Sequence, residues 1–203
     1  MDDKPLFSNQ VRMVKLCILR EERFFEDNTF INILQMLANS PVPPHELYLG
    51  GDSMIKLIFE DPILVARQLT QSFFSQTLTI LRVKCAIVPF SLFLICPKLR
   101  YLDIYMVKAN KKNYDKYPVN QCSGREAPQL EVLDYRNSHS IVEQMITPPP
   151  RFNTPVVLWS KLRILTLTPH EREEVACLQP ILDAACSTPE ELYLTRETMN
   201  DCG

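Results

Sequence analysis

The chain contains few glycines. There are four among its 203 residues, and none of them stands in a GxGxxG or GKS/T frame. A loop that cradles phosphate needs glycine in such a frame, because the backbone has to approach the phosphate closely. The sequence therefore argues against a nucleotide-binding loop, and we expect no cofactor.

An excess of positive charge is also missing. The chain has 22 Lys and Arg residues against 24 Asp and Glu residues, which gives a formal net charge of −2. A protein that holds nucleic acid needs a broad positive field that displaces the counterions of the phosphate backbone. We therefore expect no nucleic-acid partner.

The cysteines form no recognisable motif. There are seven, an odd number, with no CxxC pair and no Cys/His cluster of zinc spacing. Most of them lie within apolar strand or helix patterns, where a free thiol behaves as a small hydrophobic residue. We therefore expect no metal site and a reducing compartment, the cytoplasm or the nucleus.

Long apolar runs are absent as well. The longest, Phe90 to Cys96, lies between two prolines, and it is far shorter than the roughly 20 residues of a membrane-spanning helix. The chain opens with acidic residues instead of a charged and then apolar leader, and it has no Asn-x-Ser/Thr acceptor. We expect no contact with a membrane.

What the sequence does contain is a recurring hexad of aliphatic residues. In residues 162–167, Leu-Arg-Ile-Leu-Thr-Leu, an extended chain places Leu165 and Leu167 on one face and Ile164 and Thr166 on the other. Six further hexads begin at residues 11, 44, 78, 99, 130 and 189. The steps between the seven starts are 33, 34, 21, 31, 32 and 27 residues, which indicates a repeat.

This repeat predicts the fold class. A strand of this kind buries its two inward side chains, at about 1.5 to 3 kcal/mol each, only when the next unit stacks on it. We therefore predict an α/β solenoid with one parallel strand per repeat, helices on the convex side and a concave sheet surface. Because no stretch is left for a second core, residues 1–203 are predicted to be one domain of about seven irregular repeats.

The connections between the strands predict helices and one inserted loop. Asp52 or Asp61 opens helices that run to about Phe74. Residues 108–126 are polar and rich in Lys, Asn and Tyr, and we interpret them as an exposed loop. Asn28 is a predicted N-cap for a helix. The buried stripe predicted for that helix is Phe30, Ile33, Leu34 and Leu37.

The final helix is predicted from a capping signal. Residues 168–171, Thr-Pro-His-Glu, have the form of a capping box with proline at the first helical position. We expect one helix after this box, with a kink at Pro180. Its predicted buried stripe is Val175, Leu178, Ile181, Leu182 and Ala185.

The recurring blocks resemble the leucine-rich repeats of the ribonuclease-inhibitor type. The segments 96–104, Cys-Pro-Lys-Leu-Arg-Tyr-Leu-Asp-Ile, and 181–194, together with the irregular steps, are similar to the repeat arrays of fungal F-box proteins. In that family an F-box near the N-terminus binds the adaptor of an SCF-type ubiquitin ligase, and the repeats hold the substrate. The resemblance implies a non-enzymatic, intracellular protein-binding module that acts as a ubiquitin ligase substrate receptor.

The sequence departs from that family in two ways. No F-box-like segment, with its Leu-Pro start and helical triplet, precedes Val11, so we expect contact with the adaptor only if an F-box lies outside this chain. In regular leucine-rich repeats an asparagine follows the hexad, whereas here the position holds residues such as Ala86, Val107 and Ser138. We therefore expect no asparagine ladder. The alternative interpretation is a truncated or orphan repeat fragment without a link to a ligase.

The histidines give little support for catalysis. His45, His139 and His170 each begin or flank an element near a turn, and none has a partner at nucleophile, base or metal-ligand spacing. No cysteine stands in an obviously electropositive setting. We predict a protein that is not an enzyme, with an α/β hydrolase or transferase as the third interpretation.

A surface is the better functional candidate. If the hexads align, their polar residues form rows on the concave side of the sheet, which we call the outward face. Tyrosine and arginine dominate protein-binding hot spots, and several tyrosines in register exceed what solubility alone requires. We also expect Asp103 and Asp134, in adjacent strands, to interact with Arg82 and Arg136. The predicted partner-binding residues are Tyr48, Arg82, Lys84, Tyr101, Asp103, Tyr105, Asp134, Arg136 and Tyr193.

The last predicted strand, Glu190 to Thr195, is followed by no capping helix in this sequence. An uncapped repeat exposes a strand edge and an apolar underside. We therefore expect self-association through uncapped ends.

Overall fold

A computed structural model of the chain describes residues 11–17, 27–51, 57–58, 74–89, 91–94, 96–109, 127–147, 156–169, 172–185 and 188–195. Within these ranges the fold is α/β, as predicted. The strands are β1 (Met13–Cys17), β2 (Glu46–Gly50), β3 (Leu57–Ile58), β4 (Ile80–Lys84), β5 (Ala86–Val88), β6 (Tyr101–Tyr105), β7 (Lys108–Ala109), β8 (Val132–Arg136), β9 (Ile164–Thr168) and β10 (Glu191–Leu194). The helices are α1 (Asn28–Ala38), α2 (Phe74–Thr77), α3 (Ser91–Leu94), α4 (His139–Ile146), α5 (Arg172–Ala176) and α6 (Leu178–Ala185).

Seven of the strands form one parallel sheet, in the order β1-β2-β4-β6-β8-β9-β10. Each of these strands is the centre of one predicted hexad, and the pairing aligns the hexads position by position. Tyr101, for example, pairs with Ile80 on one side and with Val132 on the other, and all three are third residues of their hexads. The prediction of seven parallel strands in chain order is confirmed.

The backbone bonds in the same way at every step of this sheet. The carbonyl oxygen of Arg12 accepts hydrogen bonds from the N–H groups of His45 and Glu46, at 3.0 and 3.3 Å. At the next five steps the second residue of each hexad does the same, with N···O distances from 2.8 to 3.1 Å. The step between hexads varies from 21 to 34 residues. The connections between the strands therefore differ in length, whereas the pairing of the strands stays the same.

The core lies beneath this sheet. The fourth and sixth residues of each hexad point inward, and in the five middle strands, β2 to β9, all of them are at most 2 % exposed. These ten residues are Leu47, Leu49, Leu81, Val83, Leu102, Ile104, Leu133, Tyr135, Leu165 and Leu167. Each is covered by the strands on both sides of its own.

The helices cover the core from the other side. The sets of buried residues predicted for α1 and for the final helix are both partly wrong. In α4, Ile141, Val142 and Met145 are buried. Leu34 and Leu37 of α1 are buried too, but Ile33 is 47 % exposed, and the N-cap of α1 is Asp27 instead of Asn28. The Asp27 carboxylate accepts the N–H of Thr29 at 2.7 Å, so the helix begins one residue earlier than predicted.

The end of the chain also differs from the predicted single kinked helix. The helical region breaks between Ala176 and Leu178, ahead of Pro180, and gives two helices, α5 and α6. Val175, expected in the buried stripe, is 50 % exposed. Thr168, expected to cap the helix, is the last residue of β9, and its hydroxyl shares a hydrogen bond of 2.6 Å with the hydroxyl of Thr195. The histidine and glutamate of the predicted capping box lie outside the described residues.

A second, smaller parallel sheet has the order β3-β5-β7. It corrects two predictions. Leu57 and Ile58 form a strand instead of a helix that starts at Asp52, while residues 59–73 lie outside the described ranges. Lys108 and Ala109 form β7 instead of loop, and the rest of the predicted insertion, 110–126, is likewise not described.

The turns that follow three adjacent strands use left-handed backbone without glycine. Cys85, Met106 and Asn137, which come directly after β4, β6 and β8, have φ angles of 52°, 54° and 49°. Such a conformation costs about 1 kcal/mol or more for a residue with a Cβ. Hydrogen bonds offset part of this cost, since the N–H groups of Cys85 and Met106 donate to Tyr105 and Arg136 of the next strand at 2.8 and 3.0 Å.

Ser138 braces two of these turns through its side chain. Its hydroxyl, which is buried, accepts the N–H of Val107 at 3.0 Å and donates to the carbonyl of Arg136 at 2.8 Å. The oxygen stands at the position where a regular repeat holds asparagine. Ser138 therefore connects the turn after β8 to the turn after β6. The sequence alone did not predict this contact.

No helix in the described ranges is long and apolar enough to cross a membrane.

We expect Ser138→Ala to lower the free energy of unfolding by about 1 to 3 kcal/mol, because it leaves the buried N–H of Val107 without an acceptor. Urea denaturation measures the change. Ser160→Ala, at an exposed position, is the matched control and should leave stability unchanged within about 0.5 kcal/mol. Equal effects of the two changes would show that Ser138 does not brace the turn.

Leu165→Ala and Leu192→Ala test the stacking argument, since the two leucines pair in register in β9 and β10. Leu165 is fully buried and Leu192 is 45 % exposed. We expect the first change to cost about 2 to 5 kcal/mol and the second less than about 1 kcal/mol. Similar losses in thermal or urea unfolding would contradict the assigned burial.

Candidate functional site

The outward face is built by the register of the sheet. The third and fifth residues of each hexad, and the residue after it, all point away from the core and form three rows across the strands. Neighbouring strands are about 4.8 Å apart, so neighbours in a row are in reach of one another. All nine predicted binding residues lie in these rows, and the pairing brings them onto one face.

Arg82 links three of the strands. Its Nε donates to Oε1 of Glu46 at 2.8 Å, and its NH1 group lies 3.6 Å from Oδ2 of Asp103. The guanidinium carbon also lies 5.3 Å from the centre of the Tyr101 ring. Burial lowers the pKa of Arg82, but the bond to Glu46 and the neighbouring negative charges raise it by more. The side chain is therefore a fixed cation that remains 40 % exposed.

Lysines hold two further tyrosines of the face. The Lys15 ammonium lies 4.9 Å from the centre of the Tyr48 ring, and the Lys84 ammonium lies 5.1 Å from that of Tyr105. At partly exposed sites such cation–π contacts contribute about 0.5 to 1 kcal/mol each. They restrict the rings before any partner arrives, so less side-chain freedom is lost on binding.

Gly50 makes room for one of these rings, a role that the sequence analysis missed. A Cβ at this position would collide with the ring of Tyr48. The signal in the sequence is that Gly50 occupies the third row of the face, where the neighbouring strands carry side chains such as Lys84 and Tyr105. The missing side chain lets Tyr48 lie flat along its own strand.

Two carboxylates stand side by side at the centre of the face. Asp103 and Asp134 pair in register, and each has one arginine nearby. Arg82 approaches Asp103 and Arg136 approaches Asp134, both at 3.6 Å, so the expected ion pairs are confirmed. Both distances are too long for hydrogen bonds. In the described part of the chain, the buried Oδ1 of Asp134 has no hydrogen-bond donor.

Burial and the closeness of the two carboxylates shift pKa values on this face. Burial raises the pKa of Asp103, and the negative charge of Asp134 raises it further, while Arg82, Arg136 and Lys84 offset part of the shift. Burial also raises the pKa of Tyr48 and of Tyr101. The two phenols are thus protonated at neutral pH and able to donate hydrogen bonds to a partner.

Tyr193 lies at the far end of the face and differs from the other tyrosines. It is about half exposed, and its hydroxyl donates a hydrogen bond to the Glu191 carboxylate of the same strand. This bond raises the pKa of Tyr193. Among the strands that the structure describes, β10 is the last of the sheet, and Tyr193 has a neighbour on the β9 side only.

The histidines lie away from this face or outside the described residues. His45 precedes β2, His139 begins α4, and His170 is not described. A cavity of about 380 Å³ near α4 has His139, Glu143 and Cys177 among its lining residues. The Cys177 thiol faces the backbone carbonyl oxygen of His139, at 3.9 Å. That contact does not form a nucleophile and base pair, which would need a ring nitrogen beside the sulfur.

Within the described ranges, no three His, Cys, Asp or Glu side chains come together in a way that could hold a metal ion.

Asp103→Asn tests the crowding of the carboxylates through pH. Because the pKa of Asp103 is higher in the folded than in the unfolded chain, the folded state binds more protons, and the wild type loses stability as pH rises above the unfolded value of about 3.9. Asparagine does not titrate, so the free energy of unfolding of the wild type minus that of the variant should fall as pH rises through and above the unfolded value of about 3.9. Urea unfolding at each pH measures this difference, and a flat or rising difference would contradict the shift.

Comparison of the chain with protein-family models, with curated proteins and with solved structures finds no match.

Proposed function

We propose that the chain is a leucine-rich-repeat solenoid that acts as a non-enzymatic protein-interaction module and binds its partner on the outward face. Seven hexads that pair in one register, with the same backbone bonds at each step, support the repeat. The short parallel strands that follow three of the hexads support it too, since they show that the units continue to run side by side after the turn.

The observation that carries the binding proposal is the arrangement of aromatic and charged side chains on the outward face. Tyr48, Tyr101 and Tyr105 are half-buried, and each lies against a cation on the preceding strand. Tyrosine and arginine provide large contact areas with polar ends, which is why they dominate binding hot spots. A face that served only solubility would not need its tyrosines held in place.

The Asp103 and Asp134 pair adds a reason for a polar partner. The side chains of Asp103 and Asp134 remain 27 % and 16 % exposed, so a partner that brings an N–H or O–H group to their accessible oxygens would gain charge-assisted hydrogen bonds there. The ion pairs at 3.6 Å leave Asp103 and Asp134 without full hydrogen bonds from Arg82 and Arg136. Binding here would therefore gain specificity as well as area.

The size of the face limits the form of the partner. Seven strands about 4.8 Å apart, each about five residues long, give a projected area of roughly 500 Å². A standard interface buries about 800 Å² on each partner. A helix or loop that lies across the strands fits this face better than a large flat surface, unless the connections beside the sheet also take part.

We further propose that these repeats serve as the substrate-recognition part of an F-box subunit of an SCF-type ubiquitin ligase in the cytoplasm or the nucleus. The similarity of the hexads to the repeats of fungal F-box proteins supports this extension. An F-box is needed for the link, so purification from the source organism, by way of a tag on the endogenous gene, provides the test. Recovery of the ligase adaptor is expected, and recovery of partners without it would favour an interaction module that has no link to a ligase.

The binding proposal predicts that Tyr101→Ala, Asp103→Ala and Arg136→Ala, combined in one variant, weaken partner binding by about 30-fold or more, which corresponds to one lost hot spot of about 2 kcal/mol. Quantitative affinity capture followed by titration of the partner measures the loss. All three residues keep part of their side chains exposed, so the thermal midpoint should change by only a few degrees.

The matched control combines Gln35→Ala, Glu143→Ala and Lys161→Ala, which remove one neutral, one acidic and one basic side chain at exposed positions away from the outward face. This variant should bind as the wild type does. If both variants bind equally well, the outward face is not the binding surface.

A further inference from the structure

Exposed apolar side chains are confined to the two ends of the sheet. Among the described residues, the large hydrophobic side chains that are most exposed all belong to the first or the last units of the chain. They are Met13, Ile33, Met36 and Val42 at the beginning and Val175, Leu192, Tyr193 and Leu194 at the end. Between residues 46 and 168, none of the large hydrophobic side chains whose burial the structure describes reaches comparable exposure.

The last strand, β10, carries an aliphatic pair like that of an internal strand, but this pair is not buried. Leu192 and Leu194 of β10 pair in register with Leu165 and Leu167 of β9. The β9 leucines are fully buried, whereas Leu192 and Leu194 are 45 % and 59 % exposed. In the described sheet β10 has a neighbour on one side only. A strand edge with an exposed aliphatic pair is a template for a further strand.

The first strand forms the opposite edge, and its charge is complementary. In the described part of the chain β1 has β2 as its one neighbouring strand, and Arg12 and Lys15 are exposed at this edge. At the β10 edge the exposed charged residues are Glu190 and Glu191. Among the described residues, the β1 edge therefore carries basic side chains and the β10 edge carries Glu191, while Glu190 is paired with Arg163 at 2.7 Å. Both edges also expose apolar side chains beside these charges.

We propose that copies of this chain associate head to tail, with β10 of one copy paired in parallel with β1 of a second copy in the register that the internal strands use. In this register Leu192 lies beside Val14 of the second copy and Leu194 beside its Leu16. Tyr193 lies beside Lys15 of the second copy, which repeats the type of contact that Lys15 makes with Tyr48 at 4.9 Å. Glu191 lies diagonally opposite that lysine, within reach of a long side chain.

Charge distinguishes this arrangement from a symmetric one. If two β10 edges paired with each other with both outward faces on the same side, the strands would run antiparallel, and since β10 (Glu191–Leu194) contains no basic residue, Tyr193 and Glu191 would meet no lysine of the second copy. The head-to-tail contact instead joins opposite charges. The contact is heterologous, because the two edges that meet are different surfaces of the chain. Further copies can therefore add at the free edges, which gives an open chain, or a ring if the two ends meet.

Charge reversal tests the proposal, since both residues are exposed and neither is needed for the core. Lys15→Glu and Glu191→Lys should each raise the dissociation constant for self-association by about threefold to tenfold, and the chain that carries both should associate as the wild type does. Leu194→Lys should raise it by about tenfold or more, because it places an ammonium group in the apolar contact. Lys161→Glu, at an exposed position in the loop before β9, is the control and should have no effect.

Sedimentation velocity over a concentration series at low salt measures these changes, and circular dichroism checks that each variant is folded. An equimolar mixture of Lys15→Glu and Glu191→Lys should associate more tightly than either variant alone. The β1 edge of the Lys15→Glu variant is acidic and the β10 edge of the Glu191→Lys variant is basic, so these two edges attract each other. A wild-type chain that stays monomeric at all concentrations would overturn the proposal. So would a Lys15→Glu variant that associates like the wild type while Leu194→Lys does not, since β10 would then pair with itself.

Discussion

The structure depends on the fact that no strand of the main sheet can bury its aliphatic pair alone. In the five middle strands each inward pair is covered by the strand before it and the strand after it. Leu165 in β9 is fully buried, whereas its partner Leu192, in the last strand of the described sheet, is 45 % exposed. Burial of such a pair contributes a few kcal/mol, but only if the pair meets the next pair at the same depth. Register is therefore not a detail of this fold but the condition for its core.

The same register creates the surface on which function is proposed. Because side chains alternate along a strand, fixing the inward pair also fixes which residues point outward. Tyr101, Asp103 and Tyr105 share a face since Leu102 and Ile104 are buried between them. At every step the carbonyl oxygen of the second residue of a hexad accepts two backbone hydrogen bonds from the next hexad. These bonds keep the strands aligned whatever the length of the connection. The outward face thus follows from the physics of the core, and the charges and rings on it can vary without disturbing the core.

The sequence predicts what depends on local periodicity. Alternation over six residues was enough to locate the seven strands of the main sheet and to put the nine predicted binding residues on one face of it, because every internal strand meets the same surroundings. It failed where the surroundings differ. Ile33 and Val175 fit a helical stripe, yet they are 47 % and 50 % exposed, because periodicity along one helix does not show which of its side chains the neighbouring elements cover. Ser138 was overlooked because its acceptor role depends on the N–H of Val107, 31 residues away.

The register itself can be tested directly by paired cysteines on the outward face. Asp134 and Thr166 are partners in adjacent strands, at a separation that a disulfide can bridge, whereas Asp134 and Thr168 are two residues out of step. After mild oxidation and peptide mapping, Asp134→Cys with Thr166→Cys should form the cross-link in high yield, and Asp134→Cys with Thr168→Cys should not. A cross-link that favours the second pair, or forms equally in both, would contradict the alignment on which the core and the outward face depend.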